Sequence, residues 1–190
     1  MDANADQGLS FREVSRETLH RGRKFDFERV TLADERGRAM AREVVRHPGA
    51  VCVLPVLEGV AGAEVVFVRV ERFAVGRVML ELPAGTLEAG EEPRACAGRE
   101  LIEETGYEAG RLEAIGSFLT TPGMTDERMH GFFATDLRHV GQRLEEDERI
   151  TVERRPVRAA LAAAERGEIE DAKSLCLLLL AARRGLLRDA

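Results

Sequence analysis

Two runs of apolar, largely β-branched residues stand out in an otherwise highly charged chain: Ala50 to Leu57 (AVCVLPVL) and Val65 to Val70 (VVFVRV). Runs of this length without polar alternation are expected of strands buried on both faces, and Gly59 to Gly62 supplies the turn between them. Upstream, Phe25 to Val30 and Arg42 to His47 alternate, with Asp34-Glu35-Arg36-Gly37 between them, which predicts a hairpin. Leu80 to Leu82 predicts a short strand ended by Pro83-Ala84-Gly85. Glu92 to Thr105 predicts a helix, with Pro93 suited to its first turn and Gly106 to its C-terminal stop. Leu112 to Leu119 and Met129 to Leu137 predict two more strands, followed by a charged loop from Arg138 to Arg149. Pro156 to Arg166 and Asp171 to Arg184 close the chain as helices separated by Gly167. Strands, helix, strands and helices in that order imply a mixed sheet between helical layers. Met1 to Leu9 is small and polar and is expected to be disordered.

Composition narrows the picture. The 190 residues, 44% of them hydrophobic, suffice for one domain with its own core. A net charge of −6 argues against a protein that coats nucleic acid. An acidic protein handling an anionic substrate needs local positive charge, and bound cations are the usual source. Cys52, Cys96 and Cys176 are scattered and odd in number, so neither a disulfide framework nor a paired metal site follows, and a reducing compartment is expected. The longest apolar stretch, Leu175 to Ala182, is far too short to span a membrane. With no apolar signal core near the start, these features point to a cytoplasmic protein.

The chemistry is concentrated between Gly85 and Tyr107 (GTLEAGEEPRACAGRELIEETGY). At roughly 100° per residue, Glu100, Glu103 and Glu104 share an arc of roughly 100° on one helix. Like charges so spaced destabilise a helix by a few tenths of a kcal/mol per pair. Crowding of this kind makes sense around a hard cation, since Mg²⁺ and Mn²⁺ prefer oxygen ligands. A solvated acidic face is the bland alternative for any Glu-Glu pair. Here the whole segment reads G-x5-E-x7-R-E-U-x-E-E-x-G-U, with U bulky and apolar or aromatic, and it resembles the Nudix box at every defined position.

That resemblance implies a Nudix α/β/α sandwich and metal-dependent cleavage of a diphosphate, with Mg²⁺ (or Mn²⁺) as cofactor. It casts Glu100, Glu103 and Glu104 as metal ligands, with the Ala84 carbonyl as a backbone ligand. Arg99 and Glu91 become an ion pair that orients the carboxylates. Segments outside the box resemble bacterial ADP-ribose pyrophosphatases: Arg21-Gly22-Arg23, Arg42 to Val45, His47 to Val51, Glu81 to Gly85, Pro122 to Glu127, and Glu146 to Val152. Carried over residue by residue, Arg42 and Glu43 hold the adenine end, often from the neighbouring subunit. Arg72 touches the phosphates, where a guanidinium offers bidentate geometry. Glu146 and Glu148 lie in the acidic loop that supplies the general base or a further metal ligand, and Glu127 is a weaker candidate toward the ribose. His130 is read as a packed strand residue and Cys96 as a buried, inert thiol.

The implied reaction is hydrolysis of ADP-ribose to AMP and ribose 5-phosphate. One departure leaves room for another nucleoside-diphosphate sugar: Val70 and Glu71 stand where the subfamily keeps an amide and an aromatic residue. A domain that senses such a nucleotide without cleaving it is the reading from a different class, and the complete set of box carboxylates counts against it. Residues 9–46 are expected to form a β-hairpin extension that dimerises the protein, ahead of a Nudix domain over residues 47–190. The expected partners are thus a nucleotide sugar and a second copy of the chain, with no nucleic acid and no membrane.

Overall fold

The strands expected from the alternating and apolar runs are present, and three others accompany them. The structure, a computed structural model, describes residues 10–59, 62–146 and 148–187; the expected disorder of the first nine residues lies outside these. The chain divides into two compact units, one ending at Pro48 and also including Thr121–Glu127, the other holding the rest.

The first unit is an antiparallel sheet of β1 (Phe11–Arg21), β2 (Asp26–Asp34) and β3 (Ala39–Arg46), with β2 in the centre. The expected hairpin is present as β2 and β3, and β1 adds a third strand on the other side of β2. Nearly all residues of β1 are exposed, so no apolar alternation marks it in the sequence. The segment 121–127 runs beside β3, where Val45 N–H donates to Met124 O (2.9 Å). Arg46 ties the two together, reaching Glu28 at 2.8 Å and Asp126 at 3.0 Å.

The second unit is built on β4 (Ala50–Gly59). It pairs with β5 (Gly62–Arg72) toward its end and with β7 (Ala84–Thr86) toward its start, both antiparallel. Between these partners, Val53 N–H donates to Pro83 O at 2.9 Å. Two residues on, Pro55 presents its missing N–H to the same edge, where the neighbouring strands diverge and no donor is required. Strand β6 (Arg77–Glu81) pairs with the far half of β5. After helix α1 (Pro93–Thr105), β8 (Tyr107–Leu119) and β9 (Arg128–His139) form an antiparallel pair, and β9 lies parallel to β4. An edge strand, β10 (Ile150–Pro156), pairs antiparallel with β5 and leads into α2 (Val157–Glu165) and α3 (Ala172–Arg183). Glu153, Arg154 and Arg155 break the apolar pattern of β10 in the sequence; such charges suit an edge.

Layering follows from alternation along β4. Ala50, Cys52, Leu54 and Val56 pack with Val157, Ala160, Leu177 and Ala181 of the two C-terminal helices. Val51 and Val53 face the other way, toward Cys96, Ala97 and Leu101 of α1. The mixed sheet therefore lies between α1 on one face and α2 and α3 on the other, the α/β/α sandwich expected from the sequence.

Candidate active site

Helix α1 begins at Pro93, whose fixed φ suits a first turn, and ends at Gly106 in the left-handed conformation (φ 75°). Its buried residues include Ala97, Glu100, Leu101 and Glu104, the i, i+3, i+4, i+7 stripe of a helix facing a core. Half of that stripe is carboxylate. Glu100 is 9% exposed and Glu104 6%.

The lead-in to the helix is shaped around these two acids. Ala84 N–H donates to Glu104 Oε2 at 2.9 Å. A Cβ on Gly85 would fall 1.9 Å from the Glu100 carboxyl carbon, so the missing side chain is what lets that carboxylate lie against the loop. Arg99 then fixes the loop to the helix. Its Nε and Nη2 grip both oxygens of Glu91 at 3.0 Å, while Nη1 reaches Glu100 at 2.7 Å and Glu103 at 2.9 Å. The ion pair expected between Arg99 and Glu91 is thus present, with two further carboxylates on the same guanidinium.

Electrostatics distinguish the acids. Hydrogen bonding to Arg99 holds Glu91 down at about 2. Burial pushes Glu104 up to about 8 against the pull of the Ala84 N–H, and the charges of Glu100 and Glu148 add to the rise. Burial also raises Glu100; Arg99 opposes this, while Glu103 and Glu148 reinforce it. Glu148, more than forty residues from the helix in sequence, therefore shares one field with the box carboxylates.

A short strap brings it there. Val140 N–H donates to Gly106 O (2.7 Å) and Arg143 N–H to Glu103 O (3.1 Å), while Gln142 Nε2 donates to Glu104 O (2.6 Å). These bonds satisfy carbonyls that a helix end leaves open. They also hold residues 140–143, just ahead of the acidic loop, against the turn that carries Glu103 and Glu104. The Glu148 carboxylate accepts from Glu145 N–H at 3.0 Å, and the Glu146 carbonyl accepts from Arg149 at 3.0 Å. Nothing in the sequence singled out Gln142, whose partner is a main-chain oxygen.

Of the other residues picked out from the sequence, Arg72 lies at the end of β5, with Nε and Nη2 on Glu81 at 2.8 and 2.7 Å. Its charge acts on Glu104. Arg42, Glu43 and Glu127 belong to the first unit. Arg42 Nη1 donates to Ala41 O at 2.8 Å, Glu43 pairs with Arg29 at 3.4 Å, and Glu127 lies 3.7 Å from His47 Nδ1. His130 is on β9. Cys96 is buried, and burial, helped by the charges of Glu100 and Glu91, raises the thiol to about 12, as an inert thiol requires.

With the side chains so placed, no three His, Cys, Asp or Glu groups among the described residues are gathered as a metal-binding set. Arg99 holds Glu100 and Glu103, and a main-chain amide holds Glu104. The donors themselves suit a hard divalent cation: every one is an oxygen, and Gly85 leaves the Glu100 carboxylate its room. Two buried acids are pushed toward neutrality by burial and by neighbouring carboxylates, Glu103 and Glu148 acting on Glu100, and Glu100 and Glu148 on Glu104, a cost that a bound cation would remove.

Comparison with known proteins agrees with this geometry. The NUDIX domain model matches residues 46–178. An ADP-ribose pyrophosphatase of Bacillus subtilis (strain 168) is 38% identical over 170 residues, covering 88% of this chain and 90% of that protein. A methanol dehydrogenase activator of Bacillus methanolicus is 36% identical over 166 residues, covering 85% and 87%. A solved structure described as an ADP compounds hydrolase superposes with a TM-score of 0.79 over 94% of this chain and 95% of its own, at 22% identity, and so shares the fold. A family model spanning most of the chain and relatives above 35% identity over nearly their whole length show that this chain belongs to the Nudix hydrolase family.

Proposed function

We propose that the protein hydrolyses ADP-ribose to AMP and ribose 5-phosphate with the help of Mg²⁺ or Mn²⁺. The observation that carries this reading is the gathering of box carboxylates at the Gly85 loop: Arg99 Nη1 reaches both Glu100 and Glu103, the Ala84 N–H reaches Glu104, and Gly85 leaves the Glu100 carboxylate its room. Glu100, Glu103, Glu104 and the Ala84 carbonyl would hold the cation, with Glu148 as a further ligand. When bound, such a cation neutralises charge on the diphosphate oxygens and makes a coordinated water more acidic. The chain's own residues do the rest. Arg72 engages the diphosphate with its outward nitrogen. A carboxylate of the acidic loop, Glu146 or Glu148, takes the proton of the attacking water. The new P–O bond forms to that water as the bridging P–O bond breaks, and the leaving phosphate keeps the electron pair. Arg42 and Glu43 would engage the adenine end and Glu127 the ribose.

The reading extends to a homodimer. Val30 and Ala33 are the apolar residues buried in the first unit's sheet among those described, whereas Val14, Leu19, Phe25 and Phe27 are 37–54% exposed. A three-stranded sheet with so little core needs an apolar covering surface, and a second copy would provide it. No helix among the described residues is long and apolar enough to cross a membrane, and cytoplasmic residence is proposed from cysteine usage.

A specific observation favours a second substrate. Val70 is buried against Val68 and Ile150, and Glu71 is exposed, so neither can supply the amide or aromatic contact that the resembling enzymes keep there. Another nucleoside-diphosphate sugar is the alternative on that ground. The test is a panel in Mg²⁺ of ADP-ribose, ADP-glucose, GDP-mannose, NADH and diadenosine polyphosphates, with products identified. ADP-ribose should lead in kcat/KM by tenfold or more and release AMP. A different leader would replace the substrate, and binding of a nucleotide without turnover would replace the enzyme with a sensor.

A further inference from the structure

A buried ionic group centred on Glu81 holds Arg72. Glu81, at the end of β6, is 2% exposed. Its carboxylate receives the Arg72 fork on one side and the ammonium of Lys173 on the other. Lys173 lies in the first turn of α3, with a side chain 12% exposed, and also contacts Asp171 at 2.9 Å. Asp171 caps α3 by accepting from Ser174 N–H (3.0 Å) and Ser174 Oγ (2.5 Å), and Ser174 Oγ accepts from Leu82 N–H at 2.7 Å. The first turn of α3 is thus anchored to the segment that runs from Glu81 through Leu82 to Ala84.

The charges alternate: Arg72 positive, Glu81 negative, Lys173 positive, Asp171 negative. Arg72 gives Nε and Nη2 to Glu81, which leaves Nη1 pointing elsewhere on a side chain 42% exposed. A bidentate carboxylate alone would orient a guanidinium but also cancel the charge an anionic ligand needs. A second cation on the same carboxylate draws on that negative charge. Lysine suits the task, being a compact point charge with three donors, and this is one of only two lysines in an arginine-rich chain.

We propose that Lys173 is a positioning residue for nucleotide binding: acting through Glu81, it holds the Arg72 guanidinium with Nη1 presented to a diphosphate and keeps that guanidinium electrostatically available. This rests on the reading of Arg72 as a phosphate contact. Lys173 touches neither substrate nor cation, so its loss acts on binding of the nucleotide rather than on the box carboxylates.

The test compares wild type with Lys173→Met, Lys173→Arg and the charge-balanced double variant Lys173→Met/Asp171→Asn. The readouts are steady-state kinetics on ADP-ribose, calorimetric binding of ADP-ribose to metal-free protein, Mn²⁺ binding by electron paramagnetic resonance, and thermal melting. Lys173→Met should raise KM and the metal-free Kd for ADP-ribose about tenfold, lower kcat less than threefold and leave Mn²⁺ affinity unchanged. Lys173→Arg should return KM to within threefold of wild type. The double variant guards against loss of folding, since it removes one cation and one anion together and its asparagine can still cap α3. Its KM should stay raised. An unchanged KM in Lys173→Met, weakened Mn²⁺ binding, or full recovery in the double variant would each overturn the proposal. If wild type itself neither binds nor cleaves ADP-ribose, the functional reading falls as well, which separates the two failures.

Discussion

Gly85→Ala separates the chemistry from the fold more cleanly than any charge removal. Gly85 is not among the glycines with positive φ, so alanine meets no backbone penalty there. The obstacle is steric and local: the three nearest atoms to the added Cβ all belong to the Glu100 carboxyl, at 1.9, 1.9 and 2.4 Å. Non-bonded atoms settle near ~3.5 Å, so the carboxyl must retreat by on the order of 1.5 Å. It is the end of a flexible side chain, and an off-rotamer χ angle costs about 0.5–1.5 kcal/mol. Adding the lost Arg99 contact, the stability loss should be about 1–2 kcal/mol, a fall in Tm of about 2–8 °C for a chain of this size. Catalysis should suffer far more. A misplacement of ~1 Å costs roughly 100-fold, or about 2.7 kcal/mol of barrier. The assays are kcat on ADP-ribose at saturating Mg²⁺, Mn²⁺ affinity and thermal melting, on wild type and Gly85→Ala side by side. A folded variant with weakened Mn²⁺ binding and kcat down a hundredfold is expected. A variant that binds Mn²⁺ normally and keeps kcat within threefold would refute the placement of Glu100 in the ligand set, and one that fails to fold would refute the claim that Glu100 alone gives way.

Gly106→Ala should behave in the opposite manner, with stability hit first: φ is 75°, and a Cβ would meet Gln142 N at 2.7 Å and Gly141 C at 2.9 Å, both main chain. A loss of about 1–3 kcal/mol is expected, and a melting temperature within a degree of wild type would contradict it. Glu81 sets an acid limit. Burial works to raise its pKa, but Arg72 and Lys173 outweigh this and hold it at about 2. Because the folded value lies below the ordinary 4.5, the unfolded chain takes up the proton first as pH falls. The stabilisation, on the order of 3 kcal/mol, is complete above pH 4.5 and fades toward pH 2. Melting curves of wild type and Glu81→Gln should therefore converge across that window, and a gap constant with pH would show that the carboxylate charge contributes nothing. Glu104→Gln should leave folding intact and cut turnover by orders of magnitude, so retained activity would remove Glu104 from the ligand set.

Much of this fold was legible because burial imposed itself on the sequence. The β4 run is apolar at every buried position, since one set of alternate residues serves the C-terminal helices and the other serves α1. Strands β1 and β10 were invisible for the converse reason: one is exposed along nearly all its length and the other is a charged edge. The box was read through its spacing, and spacing is local. The Glu81–Lys173 pair spans 92 positions and Gln142 reaches Glu104 across 38, separations at which no periodicity operates. The anchoring of α3 to the lead-in segment therefore emerges only from the three-dimensional arrangement.

Two buried glutamates show how to tell a strut from a reactive site. Glu81 and Glu104 are both nearly inaccessible, at 2% and 6% exposure, and burial pushes both carboxyls toward the neutral form. Glu81 meets two cations and is held at about 2; Glu104 meets one amide and two like charges and is driven to about 8. A buried charge with its partners in place is compatible with a purely structural role, and such a pair adds little net stability over apolar packing. A buried charge set among others of the same sign has no structural benefit, because leucine at that point of the α1 stripe would pack without the penalty. The stripe Ala97, Glu100, Leu101, Glu104 thus divides in two: the apolar half explains why the helix docks, and the acidic half, which Arg99 and the Ala84 N–H only partly compensate, is what the proposed divalent cation would explain.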